Sequence, residues 1–175
     1  MADKKYVILI QPKETDVDLL VNRPYLPLAL LSISRYIHQK YSVVIIDQRI
    51  DKQWEEKLLG YLDKDVVCIG ISCLLGNQIR YCLEVSKAAR GNFSCPVIWG
   101  GIHDPELIKE VLKSSAADGV VQGEGEKVFA EVVERLAAGE KTETIPGYWS
   151  RGQNGYGTDI RPCFLDLDSL PDLPY

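Results

Sequence analysis

The residues able to do chemistry in this chain gather in three short stretches. Ser72-Cys73-Leu74 closes one apolar run, Gly100-Gly101-Ile102-His103 follows a second, and Gly123-Glu124-Gly125-Glu126 follows a third. Each mixes glycine with few hydrogen-bonding side chains. That composition lets backbone approach something large and flat, and it supplies few groups for a reactive centre. A nucleophile and base drawn from Cys73 and His103 would need an acid to orient the imidazole; Asp104 is adjacent in sequence, which is not yet geometry. The five cysteines (Cys68, Cys73, Cys82, Cys95 and Cys163) are odd in number and contain no C-x-x-C pair. They therefore read as reduced thiols, several of them buried, rather than as a disulfide framework or structural zinc site. His38 falls in a helical stretch and reads as a surface or partly packed residue.

Five short apolar runs must position these stretches: Tyr6–Ile10, Val43–Ile46, Val66–Ile71, Pro96–Trp99 and Gly119–Val121. They are continuous rather than alternating and rich in Val and Ile, as strands buried on both faces of a parallel sheet are. Between and after them lie helical stretches at Leu26–Gln39, Lys52–Leu62, Gln78–Arg90, Pro105–Lys113 and Glu126–Ala138. Asp51, Asn77 and Asp104 with Pro105 stand at helix starts, and Gly139 follows the last helix. Five βα units with right-handed crossovers give an α/β fold, a flavodoxin-like (Rossmann-like) doubly wound five-stranded parallel sheet of order 2-1-3-4-5. Ligands of such sheets sit beyond the carboxyl ends of the strands, where the three glycine-bearing stretches fall.

The loops exclude the commonest ligands of this fold. The first loop, Gln11-Pro12-Lys13-Glu14-Thr15-Asp16, has no glycine, and no GxxxxGK[ST] occurs in the chain, so a dinucleotide or P-loop phosphate site is not expected. A phosphoacceptor domain would carry acidic residues where Gln11 and Ser72 stand, and a flavodoxin-type loop would be rich in Ser, Thr and Gly after the first strand. Over 175 residues the formal charge is -5 and the basic residues are scattered among carboxylates, which disfavours nucleic acid as a partner. The apolar stretch after the charged start is too short for a signal peptide or membrane span, so no membrane association and a cytoplasmic location are expected.

Beyond residue 140 the pattern changes. Ile145–Trp149, Arg151–Asn154 and Gly155–Ile160 read as a small C-terminal β-hairpin with Asn154-Gly155 in its turn. Asp166 to Tyr175 is acidic and proline-punctuated, like a linker. The expected organisation is an α/β domain over 1–140, a hairpin appendage over 141–163, and a linker over 164–175.

Taken in order, these motifs resemble the cobalamin-binding domain at the N-terminus of radical-SAM enzymes, including the magnesium-protoporphyrin IX monomethyl ester oxidative cyclase type. The resemblance runs through Arg23-Pro24-Tyr25-Leu26-Pro27, Tyr41–Asp47, Gly70-Ile71-Ser72, the GG-x-H of Gly100 to His103 and the G-E-G-E of Gly123 to Glu126. It continues in Ile145-Pro146-Gly147 and the Asp166–Pro174 tail, and so covers nearly the whole chain. It implies cobalamin as cofactor, with Pro12, Ser72, Cys73, Leu74, Gly100, Gly101, His103, Gly123, Glu124 and Gly125 around it. It further implies that Ser72 hydrogen-bonds the dimethylbenzimidazole tail and that Gly100 and Gly101 make room for that tail.

Two features depart from related patterns. There is no D-x-H-x-x-G after the first strand, so the resemblance implies cobalt with no protein histidine beneath it, and His103 would orient the loop or the cofactor. Nor is there a C-x-x-x-C-x-x-C to hold a [4Fe–4S] cluster for S-adenosylmethionine. The expectation is a non-catalytic module that works with a C-terminal radical-SAM domain of the same polypeptide in methyl transfer or ring formation. The alternative is a docking or substrate-recognition module with a vestigial cofactor site.

Overall fold

The computed structural model describes residues 4–16, 18, 25–74, 76–101, 104–152, 155–156 and 166–174. Five parallel strands form its centre: β1 (Tyr6–Gln11), β2 (Ser42–Asp47), β3 (Val66–Ser72), β4 (Val97–Gly100) and β5 (Gly119–Val121). Their order, β2-β1-β3-β4-β5, is the one expected from sequence. The register sets Gly70 beside Leu9 and Ile98, Ser72 beside Gly100, and Gly100 beside Val121, so the carboxyl ends of β3, β4 and β5 finish level.

Among the described residues, five helices cover both faces: α1 (Leu28–Ser34), α2 (Trp54–Leu59), α3 (Gln78–Asn92), α4 (Pro105–Lys113) and α5 (Gly125–Ala138). Alternate side chains of β1 enter opposite cores, because successive strand residues point to opposite faces. Val7 and Leu9 pack with Leu30, Phe129 and Val133 of α1 and α5, whereas Ile8 and Ile10 pack with Trp54, Leu58 and Val85 of α2 and α3. This two-sided burial explains why the strands read as unbroken apolar runs. Trp99 is fully buried, and its indole N–H donates to Ser86 Oγ at 2.8 Å.

The C-terminal segment joins the sheet instead of standing apart. Strand β6 (Tyr148–Gly152) pairs antiparallel with β5, and β7 (Gly155–Tyr156) pairs antiparallel with β6, so the sheet has seven strands among the described residues. Gly155 pairs with Gly152 and so belongs to the strand rather than to the turn; Asn154 lies outside the described residues. The Tyr148 ring lies directly on Gly119 of β5. A Cβ there would fall 2.0 Å from the phenol oxygen, so only a residue without a side chain leaves the ring its place.

Helix boundaries differ from expectation where local chemistry intervenes. Helix α1 starts at Leu28 rather than Leu26 because Pro27 has no N–H and disfavours helical geometry in the residue before it. It ends at Ser34 in looser turns. Helix α2 starts at Trp54, and the Asp51 carboxylate instead accepts from the Gln53 amide at 2.9 Å in the preceding turn. Asn77 makes no side-chain cap, whereas Asp104 accepts from the Leu107 amide at 2.8 Å. Gly139 closes α5 in the left-handed conformation. Among the described residues, no helix is long and apolar enough to cross a membrane.

Candidate functional site: a crevice at the carboxyl ends of the strands

A crevice of about 240 Å³ opens where β3, β4 and β5 end, between α1 and α5. Its floor follows from the two-residue period of a strand. Gly70 and Ser72 of β3 and Ile98 and Gly100 of β4 lie two apart and share the face that carries α1 and α5. Ala29, Leu30 and Ile33 of α1 form one wall, and Gly125 and Phe129 of α5 form the other. At Gly70 a Cβ would come within 2.8 Å of Leu9 Cδ2 and 3.3 Å of Phe129 Cζ, so the missing side chain lets Phe129 reach the floor. At Gly125 a Cβ would meet Ile33 Cγ2 at 3.2 Å, so glycine there brings the first turn of α5 against α1.

Gly101 holds the mouth open by a different means. Its φ is 95°, and a Cβ would lie 2.7 Å from the backbone oxygen of Cys73, so glycine alone allows the loops after β3 and β4 to touch. Gly100 differs again. A Cβ there would meet nothing within 4 Å and would project into open space. Across the crevice the Ser32 hydroxyl donates to Glu126 Oε1 at 2.7 Å, tying α1 to the first turn of α5.

Of the residues expected from sequence, Ser72, Leu74, Gly100, Gly101, Gly123, Glu124 and Gly125 line the crevice together. Pro12 and Cys73 do not. Pro12 is buried, and its carbonyl accepts from the side chains of Gln11 and Gln78, both at 3.4 Å. Cys73 is fully buried, and its thiol donates to the Leu74 carbonyl at 3.5 Å, so it is not presented as a nucleophile. The neighbouring Cys82 thiol is pushed up from its ordinary pKa by its hydrogen bond with Cys73 and by burial. His103 lies outside the described residues. His38 is half-buried, with Nδ1 3.2 Å from the Ser34 carbonyl oxygen. Among the described residues, no group of three or more His, Cys, Asp or Glu side chains could hold a metal ion.

The structure also shows residues that sequence motifs did not flag. Gln78, 3% exposed, accepts from the Leu74 amide at 2.6 Å and reaches Pro12, which joins the loops after β1 and β3. Gln48, 1% exposed, accepts from the Lys13 amide at 2.9 Å and joins the loops after β1 and β2. Arg49 is clamped by both oxygens of Asp47, at 3.0 and 2.8 Å, and lies over the Tyr25 ring at 5.0 Å. Its pKa is raised above the usual arginine value, chiefly by the hydrogen bonds it donates to Asp47. Asp18 holds the same loop by accepting from the amides of Glu14 and Thr15 and from the Thr15 hydroxyl. Burial works to raise its pKa, but these hydrogen bonds leave it below the usual carboxylate value.

Residues 17–133, from the loop after β1 to the middle of α5, match the family described as the B12 binding domain. The chain belongs to the B12-binding domain family. Cobalamin is the cofactor of such a domain, and the crevice fits part of one: Gly100 leaves a space that any side chain would fill, and the walls are largely apolar. This B12-binding domain is 28% identical over 98% of its length to a Pyrococcus horikoshii protein described as an uncharacterized methyltransferase. It spans 38% of that relative's length.

Its fold is shared with TsrM of Kitasatospora setae, a radical S-adenosylmethionine methyltransferase solved with cobalamin and a [4Fe–4S] cluster. The TM-score is 0.72 at 20% identity, over 91% of this chain and 31% of that one. It is shared also with OxsB, a cobalamin-dependent S-adenosylmethionine radical enzyme solved with aqua-cobalamin, at a TM-score of 0.68 and 18% identity. That likeness covers 92% of this chain and 23% of OxsB. These names are of methyltransferases and a radical enzyme rather than of the oxidative-cyclase type.

Proposed function

We propose that the chain is the cobalamin-holding module of a radical-SAM methyltransferase. The crevice at the ends of β3, β4 and β5 carries this reading, because it is narrow, largely apolar and kept open at Gly100. Residues of α1 and α5 at the crevice walls would hold the nucleotide tail of cobalamin, and the loops at the strand ends would hold the corrin. Among the described residues no partner takes the Ser72 hydroxyl, and Ser72 lines the crevice, where it would be available to the tail. Gly101 and Gly123, with φ of 95° and 82°, let the two loops approach the ring system. When bound, cobalamin supplies a cobalt centre able to accept and pass on a methyl group. The chain's own residues bind the tail, fix the loops and exclude water from the crevice.

A further domain of the same polypeptide would carry the [4Fe–4S] cluster and S-adenosylmethionine. The greater length of the relatives supports this, as do the exposed apolar side chains of Tyr25, Leu26, Leu28 and Leu74 beside the entrance to α1 and the crevice mouth. The test is gel filtration of the purified chain with hydroxocobalamin. Co-elution with a shifted corrin absorption spectrum is expected for the parent chain, and none for Ser72→Phe. A folded parent chain that elutes free of corrin would refute the reading.

A further inference from the structure

We propose that the crevice selects its corrinoid by the lower base, taking a benzimidazole and disfavouring an adenine. This rests on the cobalamin reading above and extends it to the ligand's chemical subclass. The deep part of the crevice is made by Leu30, Ile33, Gly70, Ile98, Val121 and Phe129, none of which carries a side-chain donor or acceptor. The strand backbones do not make up the lack, since β3, β4 and β5 pair with one another at this level, Gly70 with Ile98 and Gly100 with Val121. Nearer the mouth, the Ser32 hydroxyl is already committed to Glu126 at 2.7 Å. Glu124 lines the crevice from the turn beyond the end of β5, outside the apolar part, and Ser72, at the end of β3, is the hydroxyl left to meet a ring atom.

One hydroxyl matches the needs of one base and not of the other. A dimethylbenzimidazole joined to ribose through one nitrogen has a single further ring nitrogen, and its two methyl groups seek apolar contact. An adenine in the same place brings further ring nitrogens and an exocyclic amine. Buried against Phe129, Leu30 and Ile98, these would lose water and gain no partner. A site that leaves even one polar group of a ligand unpaired discriminates against it by roughly 10- to 100-fold.

The experiment is equilibrium binding of the full chain to four probes: hydroxocobalamin, the adenine-based cobamide, a cobamide with a phenolic lower base, and cobinamide, which has no tail. Hydroxocobalamin is expected to bind at least about tenfold tighter than the adenine form, with the phenolic form between them and cobinamide weak. Val121→Thr, which keeps the side-chain shape and adds a hydroxyl to the floor, should narrow the ratio. Equal affinity for the benzimidazole and adenine forms, with cobinamide weaker, overturns base selection and leaves the cobalamin reading standing. Cobinamide binding as tightly as hydroxocobalamin overturns it too, since the tail then gains nothing in the crevice. Failure of all four probes to bind the folded chain overturns both readings.

Discussion

Replacing Gly100 by leucine separates cofactor binding from folding. The position ends β4, and a Cβ there meets no atom within 4 Å, so the larger residue is accommodated without moving the sheet. Glycine within a strand costs about 0.5–1 kcal/mol relative to alanine, so the variant should be as stable as the parent or slightly more so. Its side chain points into the crevice of about 240 Å³ and takes space that the tail needs. An aromatic base kept out of the crevice forfeits the burial of a Phe-sized group, about 1.5–3 kcal/mol. That corresponds to a rise in Kd of roughly 10- to 150-fold. The assay is titration with hydroxocobalamin, with thermal unfolding in parallel and Gly100→Ala as an intermediate step. Cobinamide serves as a control, and its affinity should not change. A Gly100→Leu protein with parental stability and parental Kd for hydroxocobalamin would refute the placement of the tail; equal weakening of cobinamide would place the loss elsewhere.

Three further outcomes are expected. Gly101→Ala combines a left-handed φ with a 2.7 Å approach to the Cys73 oxygen, so denaturant unfolding should show a loss of about 1–3 kcal/mol. Asp104→Ala removes the cap on the Leu107 amide and should cost about 1 kcal/mol in the same assay, whereas Asn77→Ala should cost little because Asn77 makes no cap. Stability should fall with rising pH at the alkaline end. Burial pushes the Cys95 thiol from its ordinary 9.0 up to about 11, and it also raises Cys68 and Tyr148. The unfolded chain therefore loses these protons first. The stabilisation is fully present below pH 9.0 and is lost as pH rises through about 11, which thermal melts across that window would record.

The sheet was legible because its strands are buried on both sides, so β1 and β3 read as unbroken Val and Ile runs whatever their neighbours. The crevice floor was legible for a related reason. Glycine and serine at strand ends, as at Gly70, Ser72 and Gly100, are conspicuous among bulky residues. The walls were not. Leu30, Ile33 and Phe129 have the spacing of any core-facing helical residue, and only the pairing of α1 with α5 shows that they bound a cavity. Gln48 and Gln78 were invisible for want of a motif: each acts through a contact to the loop after β1, Gln48 with the Lys13 amide and Gln78 with the Pro12 carbonyl. The β6 strand was read as part of a hairpin, but its docking on β5 depends on the space at Gly119, which no local pattern reveals.

That space has an evolutionary consequence. Gly119 and Tyr148 form a single unit of inheritance, since the ring occupies the volume that any other residue at 119 would claim. Neither position can drift alone. A side chain gained at 119 evicts the ring and unseats β6, and a small residue at 148 leaves bare backbone beneath it. Lineages descending from this sequence should therefore exchange the two together, or keep both.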